Sequence, residues 1–204
     1  MSVDLKEAFQ ESLGVYLANW KVGALAGALQ LIPVAGGLVF VNWMAAVKRN
    51  EAVGESVGLP GLLDSDDAIE KVMGGFGLLV LATITAALGA FLPTLIGLPL
   101  SLGGMVGLIV LAGMVAFSNA IMADKPGLSF LSALAGTWAF TRKQPGLMLK
   151  LIAVCAGLFV AGSLALVVGL VVTLPLAAGF AFNVYKSVRN EVETAAASDG
   201  VELQ

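Results

Sequence analysis

Residues 151–185 read LIAVCAGLFVAGSLALVVGLVVTLPLAAGFAFNVY, 35 residues without a charged side chain. About 20 residues suffice for a helix to cross the ~30 Å hydrocarbon core of a bilayer, so this run can hold one full span and most of a second. Two further charge-free runs, 22–47 and 72–123, precede it. Each run contains a proline close to small residues, namely Pro33, Pro99 and Pro175. We predict an all-α, polytopic membrane protein of three helical hairpins, about six membrane helices, that turn at these prolines.

The composition indicates that a bilayer, rather than water, surrounds most of the chain. Of 204 residues, 58% are hydrophobic and 12% are charged, whereas soluble domains carry about 25% charged residues. The net charge of −3 excludes the clustered basic surface that nucleic acids require. The chain has no histidine, one cysteine (Cys155), and no phosphate-loop, nucleophile-elbow or EF-hand pattern. We therefore expect no enzyme activity, no cofactor and no metal site.

The basic residues favour two helices in each run. All 11 Lys and Arg lie outside the charge-free runs, and with six helices they all fall on one face. The positive-inside rule makes that face cytoplasmic, so we expect a multi-pass protein of the cell membrane with both termini in the cytoplasm. The run 22–47 leaves alternatives open, since it fits either one span kinked at Pro33 or two short helices. The first and third hairpins either cross the bilayer fully or are re-entrant.

A recurring phrase indicates three repeats. An asparagine stands six residues before a basic residue at Asn42 and Lys48, at Asn119 and Lys125, and at Asn183 and Arg189. Such recurrence of a rare residue type is typical of internal repeats, here about 3–51, 59–125 and 127–191 of a single membrane domain, 1–193. Asn42, Asn119 and Asn183 form a candidate polar cluster near the cytoplasmic end. Their amides serve either a polar site or hydrogen bonds between helices.

Each hairpin is preceded by a predicted amphipathic helix that suits the membrane interface. In the first, apolar residues recur at helical spacing from Leu5 to Trp20. The second begins after Asp64 or Ser65 with acidic residues in its first turn, where the helix dipole favours them. The third covers about 128–138. The aromatic residues expected at interfaces are Trp20, Trp43, Trp138 and Tyr185. Residues 194–204 are small and polar, which predicts a flexible tail.

Several landmarks in residues 9–75 resemble an uncharacterised family of small polytopic prokaryotic membrane proteins, a domain of unknown function. These landmarks are Trp20-Lys21 with Gly23 and Gly27, then Ile32-Pro33, Lys48-Arg49, and Leu59-Pro60 before an acidic helix start. Gly61 departs from the family pattern, in which a charged residue and an aromatic residue follow. The resemblance implies a polytopic membrane fold and brings no activity with it.

The pattern favours an integral membrane protein without catalytic machinery, acting as a scaffold, assembly or bilayer-shaping module. An ion-coupled pump is disfavoured because the runs contain no acidic or basic residue. The alternative is a transporter or channel for a neutral or lipid-like solute, built from parallel internal repeats. The expected partner is the lipid bilayer. A second copy of the chain or another membrane protein is a further candidate partner.

Overall fold

The computed structural model describes residues 3–31, 33–53, 62, 66–73 and 94–203, without the side chains of 33–37, 49–53, 94–105, 108, 166 and 167. Within these residues all regular structure is helical, which confirms the predicted all-α class. The helices are α1 (Leu5–Ala18), α2 (Trp20–Gln30), α3 (Pro33–Val53), α4 (Thr94–Asp124), α5 (Phe130–Lys143), α6 (Pro145–Leu164) and α7 (Leu166–Ser198). Residues 68–73 are also helical.

Local sequence signals set where several helices begin. Asp4 caps α1 because its carboxylate accepts from the backbone N–H groups of Lys6 and Glu7. Ser129 caps α5 in the same way, accepting from the N–H of Ser132 at 3.1 Å. Pro145 occupies the first turn of α6, where its missing N–H costs no helical hydrogen bond.

Helix α7 is the centre of the bundle, because it packs against every other helix named above. Its buried aromatic residues interlock with those of α4 and α5. Phe117 stacks on Phe140 with ring centroids 5.5 Å apart, and Tyr185 meets the edge of Phe117 at 5.7 Å. Such ring pairs add specific geometry to the burial of a large apolar surface.

The third hairpin turns at Ala165, the residue between α6 and α7. The two helices touch close to the turn. A Cβ at Gly169 would meet the carbonyl of Gly162, and a Cβ at Gly162 would meet the hydroxyl of Thr173, so neither position has room for one. Helix α6 has 20 residues, about 30 Å at 1.5 Å per residue, which matches a hydrocarbon core. The predicted turn at Pro175 is wrong, because Pro175 lies inside the continuous helix α7.

Pro175 serves instead as a packing point for the first hairpin. A proline has no N–H, so it cannot bond the carbonyl of Val171 one turn earlier. Gly27 of α2 packs directly on this Val171 carbonyl, which leaves no space for a side chain at position 27. The indole N–H of Trp43 donates to the carbonyl of Pro175 itself at 3.0 Å. The proline thus marks where α2 and α3 contact α7.

The other two prolines differ from each other. Pro99 is the sixth residue of α4, which continues to Asp124, so the predicted turn at Pro99 is wrong. The expected first arm of this hairpin falls largely on 74–93, which lie outside the described residues. Pro33 is the first residue of α3, after α2 has ended at Gln30, and the two helices pack together. The structure therefore has two helices in the run 22–47.

Helix α1 packs lengthwise on α7 rather than standing free. Its buried residues Ala8, Ser12 and Tyr16 recur every fourth position. Ser12 lies against Gly179, and the ring of Phe9 meets that of Phe180 at 6.3 Å. The face of α1 that packs on α7 is therefore the one with the small residues Ala8 and Ser12. The apolar stripe of the predicted interfacial helix is only partly covered, and Leu17 is 60% exposed.

The C-terminal residues are ordered, so the prediction of a flexible tail over 194–204 is wrong for the described part. Helix α7 runs to Ser198 and ends in a Schellman motif, in which the N–H of Val201 bonds the carbonyl of Ala196 at 3.0 Å. Gly200 supplies the left-handed residue with φ +72°. Leu203 then packs on Gly136 of α5 and is 6% exposed.

Among the described residues, two helices are long and apolar enough to cross a membrane, Pro145–Leu164 and Val168–Ser198. A core helix of a soluble protein also passes this test, but such a helix is mostly buried. In α6 only 22% of the most apolar stretch is buried, against 56% in α7. Helix α6 therefore presents an apolar surface to its surroundings, as a lipid-facing helix does.

Candidate functional site

The three asparagines of the candidate polar cluster lie on three different helices and have different surroundings. Asn42 belongs to α3, Asn119 to α4 and Asn183 to α7. All three are buried, with 3–4% of the residue exposed. The described hydrogen bonds of Asn42 and of Asn183 lead to different elements of the fold.

Asn42 joins α3 to the segment that follows it. Its Nδ2 donates to the carbonyl of Leu62 at 3.0 Å, and its Oδ1 accepts from Nζ of Lys71 at 2.9 Å. Both partners precede the second charge-free run, 72–123. The amide therefore fastens α3 to the segment before that run.

Asn183 joins α7 to α1. Its Nδ2 donates to Oγ of Ser12 at 3.0 Å and to the carbonyl of Ala8 at 3.3 Å. Ser12 in turn donates to the same carbonyl of Ala8, at 2.9 Å. The Oδ1 of Asn183 is buried and has no hydrogen-bond partner in the described part of the chain.

Asn119 is the least satisfied of the three. Its buried Oδ1 lacks a hydrogen-bond partner within the described ranges. The adjacent Ser118 bonds Thr137 of α5 at 2.9 Å, so the polar contact between α4 and α5 is made by the neighbouring residue. Burying an amide oxygen without a partner costs about 1–3 kcal/mol, which makes Asn119 the asparagine that structural bonding explains least.

A charged cluster surrounds Asp124, the last residue of α4. The carboxylate of Asp124 accepts from Nζ of Lys48 at 2.7 Å and from the hydroxyl of Tyr185 at 3.1 Å, and it forms an ion pair with Nε of Arg189 at 3.1 Å. We call these four residues the Asp124 cluster. The Asp124 side chain is 5% exposed, whereas those of Lys48 and Arg189 are 44% and 48% exposed. The cluster ties α3, α4 and α7 together at one end of the bundle.

The environment keeps Asp124, which stands one residue beyond the run 72–123, ionised. Burial raises the pKa of its carboxyl group, but the hydrogen bond and charge of Lys48, the hydroxyl of Tyr185 and the charge of Arg189 together outweigh burial. The net pKa is below the ordinary value of 3.8. The Asp124 carboxylate is thus ionised and satisfied by three partners within the protein. It has no proton to give near neutral pH.

A second carboxylate continues the cluster. Lys125 pairs with Glu193 at 2.8 Å, and Arg189 also reaches Glu193 at 3.4 Å. Lys125 donates to the carbonyl of Leu203 as well. The basic residues of the recurring phrase therefore meet around two carboxylates, those of Asp124 and Glu193. These basic residues are Lys48, Lys125 and Arg189. The sequence pattern contained this signal, since Asp124 stands within the recurring phrase directly before Lys125.

The acidic residues before the second run have a structural use. Asp67 accepts from the N–H of Gly127 at 2.9 Å, and Glu70 accepts from the N–H of Phe130 at 2.7 Å. These carboxylates thus hold the segment that enters α5, where backbone N–H groups lack helical partners. Among the described residues, no group of three or more Cys, Asp or Glu side chains is arranged to hold a metal ion.

The aromatic residues expected at interfaces divide into two pairs. Trp20 and Trp138 are 57% and 54% exposed, which suits an amphipathic ring at a membrane surface. Trp43 and Tyr185 are each 1% exposed. Their polar atoms bond Pro175 and Asp124 inside the bundle, so the interfacial interpretation is wrong for these two residues.

Further polar atoms are buried away from these contacts. Both amide atoms of Gln30, at the end of α2, and the hydroxyl of Thr173 on α7 have no hydrogen-bond partner in the described structure. Both residues lie in the charge-free runs. They are the polar groups that a solute or water inside the bundle would meet.

Comparisons with protein-family models, with curated proteins and with solved structures found no match to this chain. The resemblance carried by Trp20-Lys21, Ile32-Pro33 and Leu59-Pro60 therefore stays a prediction.

Proposed function

We propose that the chain is a multi-pass membrane protein without catalytic machinery, a scaffold or bilayer-shaping module. Three hairpins would cross the cell membrane, with both termini in the cytoplasm. The observation that carries this proposal is the Asp124 cluster. Its charged groups bind one another between α3, α4 and α7. Polar groups used in this way hold an assembly in shape.

The exposed face of α6 supports a bilayer as the surroundings. Large apolar side chains project from it, with Phe159 55%, Val160 56% and Leu164 81% exposed. Val168 at the start of α7 continues this surface at 76%. In water such a surface would favour aggregation, whereas lipid chains satisfy it without cost.

The orientation follows from the charges at the ends of the third hairpin. Arg142 pairs with Asp199, and the amide of Gln144 reaches Glu191 at 3.4 Å. Both ends of the α6–α7 hairpin therefore lie together, opposite Ala165. Since Lys and Arg of short loops stay inside, these ends would be cytoplasmic and Ala165 would face outward.

Cysteine accessibility tests this topology. In a Cys155→Ala background, single cysteines replace Ala165, at the turn, and Glu202, in the exposed C-terminal segment. An impermeant thiol reagent on intact cells should label position 165 only, and position 202 should react after permeabilisation. The buried position Ala178 is the matched control that should stay unlabelled in both conditions. Labelling of 165 and 202 from the same side would refute the proposed crossing.

The scaffold role is tested with purified protein in liposomes. We expect neutral solutes such as glycerol and urea to cross no faster than in protein-free vesicles. We also expect cryo-electron microscopy to show altered vesicle curvature or clustering. Asp124→Asn should reduce that effect, since it loosens three helices at one end. Unchanged vesicles together with solute flux would contradict the scaffold role.

A transporter for a neutral solute is the second candidate, and the unpartnered polar atoms favour it. Asn119, Gln30 and Thr173 each bury at least one such atom. Asn119→Leu removes the orphan amide without breaking a described hydrogen bond, so the protein should fold with equal or higher stability. Asn183→Leu is the matched control that breaks the bond to α1. Solute flux in the wild type that Asn119→Leu abolishes, with the fold intact, would establish transport.

A further inference from the structure

An open groove of ≈390 Å³ lies where the end of α5 and the start of α6 meet the last turns of α7. Its apolar floor is formed by Phe140 and Ala195, which are both buried. Its rim is polar and carries one cation, Lys143, and one anion, Glu191. A groove with opposite charges on its rim is complementary to a ligand with both a negative and a positive group.

The present partners of these two charges are easily exchanged. The Lys143 ammonium donates to the hydroxyl of Ser198, and the nearest donor to the Glu191 carboxylate is the amide of Gln144 at a long 3.4 Å. Both contacts are at exposed positions, where a neutral partner contributes little. The neighbouring Arg142 is already paired with Asp199. Lys143 and Glu191 are therefore the charges available to a ligand.

The groove lies near the expected level of lipid headgroups. Gln144 directly precedes α6, whose apolar face is exposed. Glu191 stands six residues beyond Tyr185, the last residue of the run 151–185, which is about 9 Å along a helix. Headgroups occupy roughly 5–8 Å beyond the hydrocarbon on each side. A phospholipid of the same leaflet can thus place its headgroup at the groove and its chains along α6.

We propose that this groove binds the phosphoethanolamine headgroup of a phospholipid. The phosphate would accept from the ammonium of Lys143, and the primary ammonium of the headgroup would donate to the carboxylate of Glu191. A choline group lacks the N–H donors for Glu191, and a phosphoglycerol group lacks the cation. The inference rests on the proposed membrane location and names the lipid class.

Native mass spectrometry of the detergent-solubilised full chain tests this site. The protein is mixed with phosphatidylethanolamine, phosphatidylcholine or phosphatidylglycerol of identical acyl chains. We expect the ethanolamine lipid to be retained about tenfold better, which corresponds to one charge-assisted hydrogen bond. Equal retention of the three lipids by the wild type would overturn the proposal.

Two variants separate the roles of the charges. Lys143→Gln should weaken retention of all three lipids, because each carries the phosphate that Lys143 would bind. Glu191→Gln should remove discrimination between the ethanolamine and glycerol lipids. Lys150→Gln and Glu202→Gln, exposed residues outside the groove, are matched controls that should keep the wild-type retention and preference. Wild-type retention in Lys143→Gln, or a wild-type preference in Glu191→Gln, would refute the site.

A soluble competitor distinguishes a lipid from a free metabolite. Millimolar phosphoethanolamine should leave the lipid bound, because the acyl chains add contacts that the free headgroup lacks. Complete displacement would overturn the lipid assignment in favour of a small-molecule ligand. The assay is done in detergent and does not depend on the number of membrane crossings. Its failure is therefore distinguishable from failure of the cysteine topology experiment.

Discussion

Asp124 shows how a single carboxylate can organise three helices. Its side chain is 5% exposed, yet it receives hydrogen bonds from Lys48 and Tyr185 and an ion pair from Arg189. A buried charge is tolerated only when paired and hydrogen-bonded. The two cations remain about half exposed, so they keep part of their hydration while neutralising the acid.

The lowered pKa of Asp124 predicts a pH dependence of stability. A carboxyl group with a depressed pKa in the folded state stabilises the fold above its unfolded pKa and loses that effect as pH falls through the folded value. The melting temperature of the wild type should exceed that of Asp124→Asn by a constant amount between about pH 7 and 5. The difference should shrink below about pH 4, since the ordinary value is 3.8.

Thermal unfolding in detergent, followed by circular dichroism, measures this difference. Asp199→Asn is the control, because Asp199 takes part in a more exposed ion pair with Arg142. Loss of the Asp199–Arg142 ion pair should lower the free energy of unfolding by at most about 1 kcal/mol. A stability difference for Asp124→Asn that stays constant down to pH 3 would contradict the assigned pKa shift.

Gly27 is a position where a single added methyl group should be costly. A Cβ there would overlap the backbone carbonyl of Val171, which cannot move without disturbing α7. We expect Gly27→Ala to destabilise the protein by about 1–3 kcal/mol, as overpacking does. Gly157→Ala is the control, since nothing lies within 4 Å of its added Cβ. Equal melting temperatures for the two variants would show that α2 and α7 are not in contact there.

At the scale of helices, hydropathy was informative and proline was misleading. The run 151–185 predicted two long helices in a hairpin, which the structure has as α6 and α7. The position of the turn depended instead on Ala165, Gly162 and Gly169, small residues that are common throughout the chain. Nothing local distinguishes a proline that ends a helix from one that α2 and α3 pack against. Only the partner helices decide, and they are distant in sequence.

The structure of the C-terminal segment was not predicted, for the same physical reason. Residues 194–204 are small and polar enough to look disordered. Two contacts fix the position of this segment. Lys125 donates to the carbonyl of Leu203, and Gly136 leaves space for the side chain of Leu203. Neither contact has a signature within the segment itself. The asparagine phrase coincides with a helix end only in α4, since α3 continues to Val53 and α7 to Ser198. It also did not identify Asp124 as the common partner of Lys48 and Arg189.

Leu203 gives a test at this scale. Leu203→Ala should lower stability by about 2 kcal/mol, the usual cost of removing a buried leucine side chain. It should also make the last residues sensitive to carboxypeptidase digestion. Glu202→Ala changes an exposed neighbour and is the control that should alter neither property. Rapid digestion of the wild-type end would show that Leu203 is not held against α5.

The whole molecule has a distinct distribution of surfaces, with large apolar side chains exposed on α6 and ion pairs at the end opposite Ala165. A spin label at Phe159→Cys, in a Cys155→Ala background in nanodiscs, should collide with oxygen far more than with a water-soluble nickel chelate. The same label at Glu202→Cys should show the reverse. Preference for the nickel chelate at position 159 would place α6 in water and overturn the membrane assignment.

The central position of α7 affects how the protein is made. The helices α1 to α6 all contact α7, yet α7 follows them in chain order. During synthesis they are made before their common partner exists, with Gly27 and Trp43 lacking the surface they will contact. A chain that stops before Leu166 therefore leaves these helices without their shared contact surface. Mutations in α7 should reduce the cellular amount of the protein more than mutations in the other helices that change side-chain volume equally.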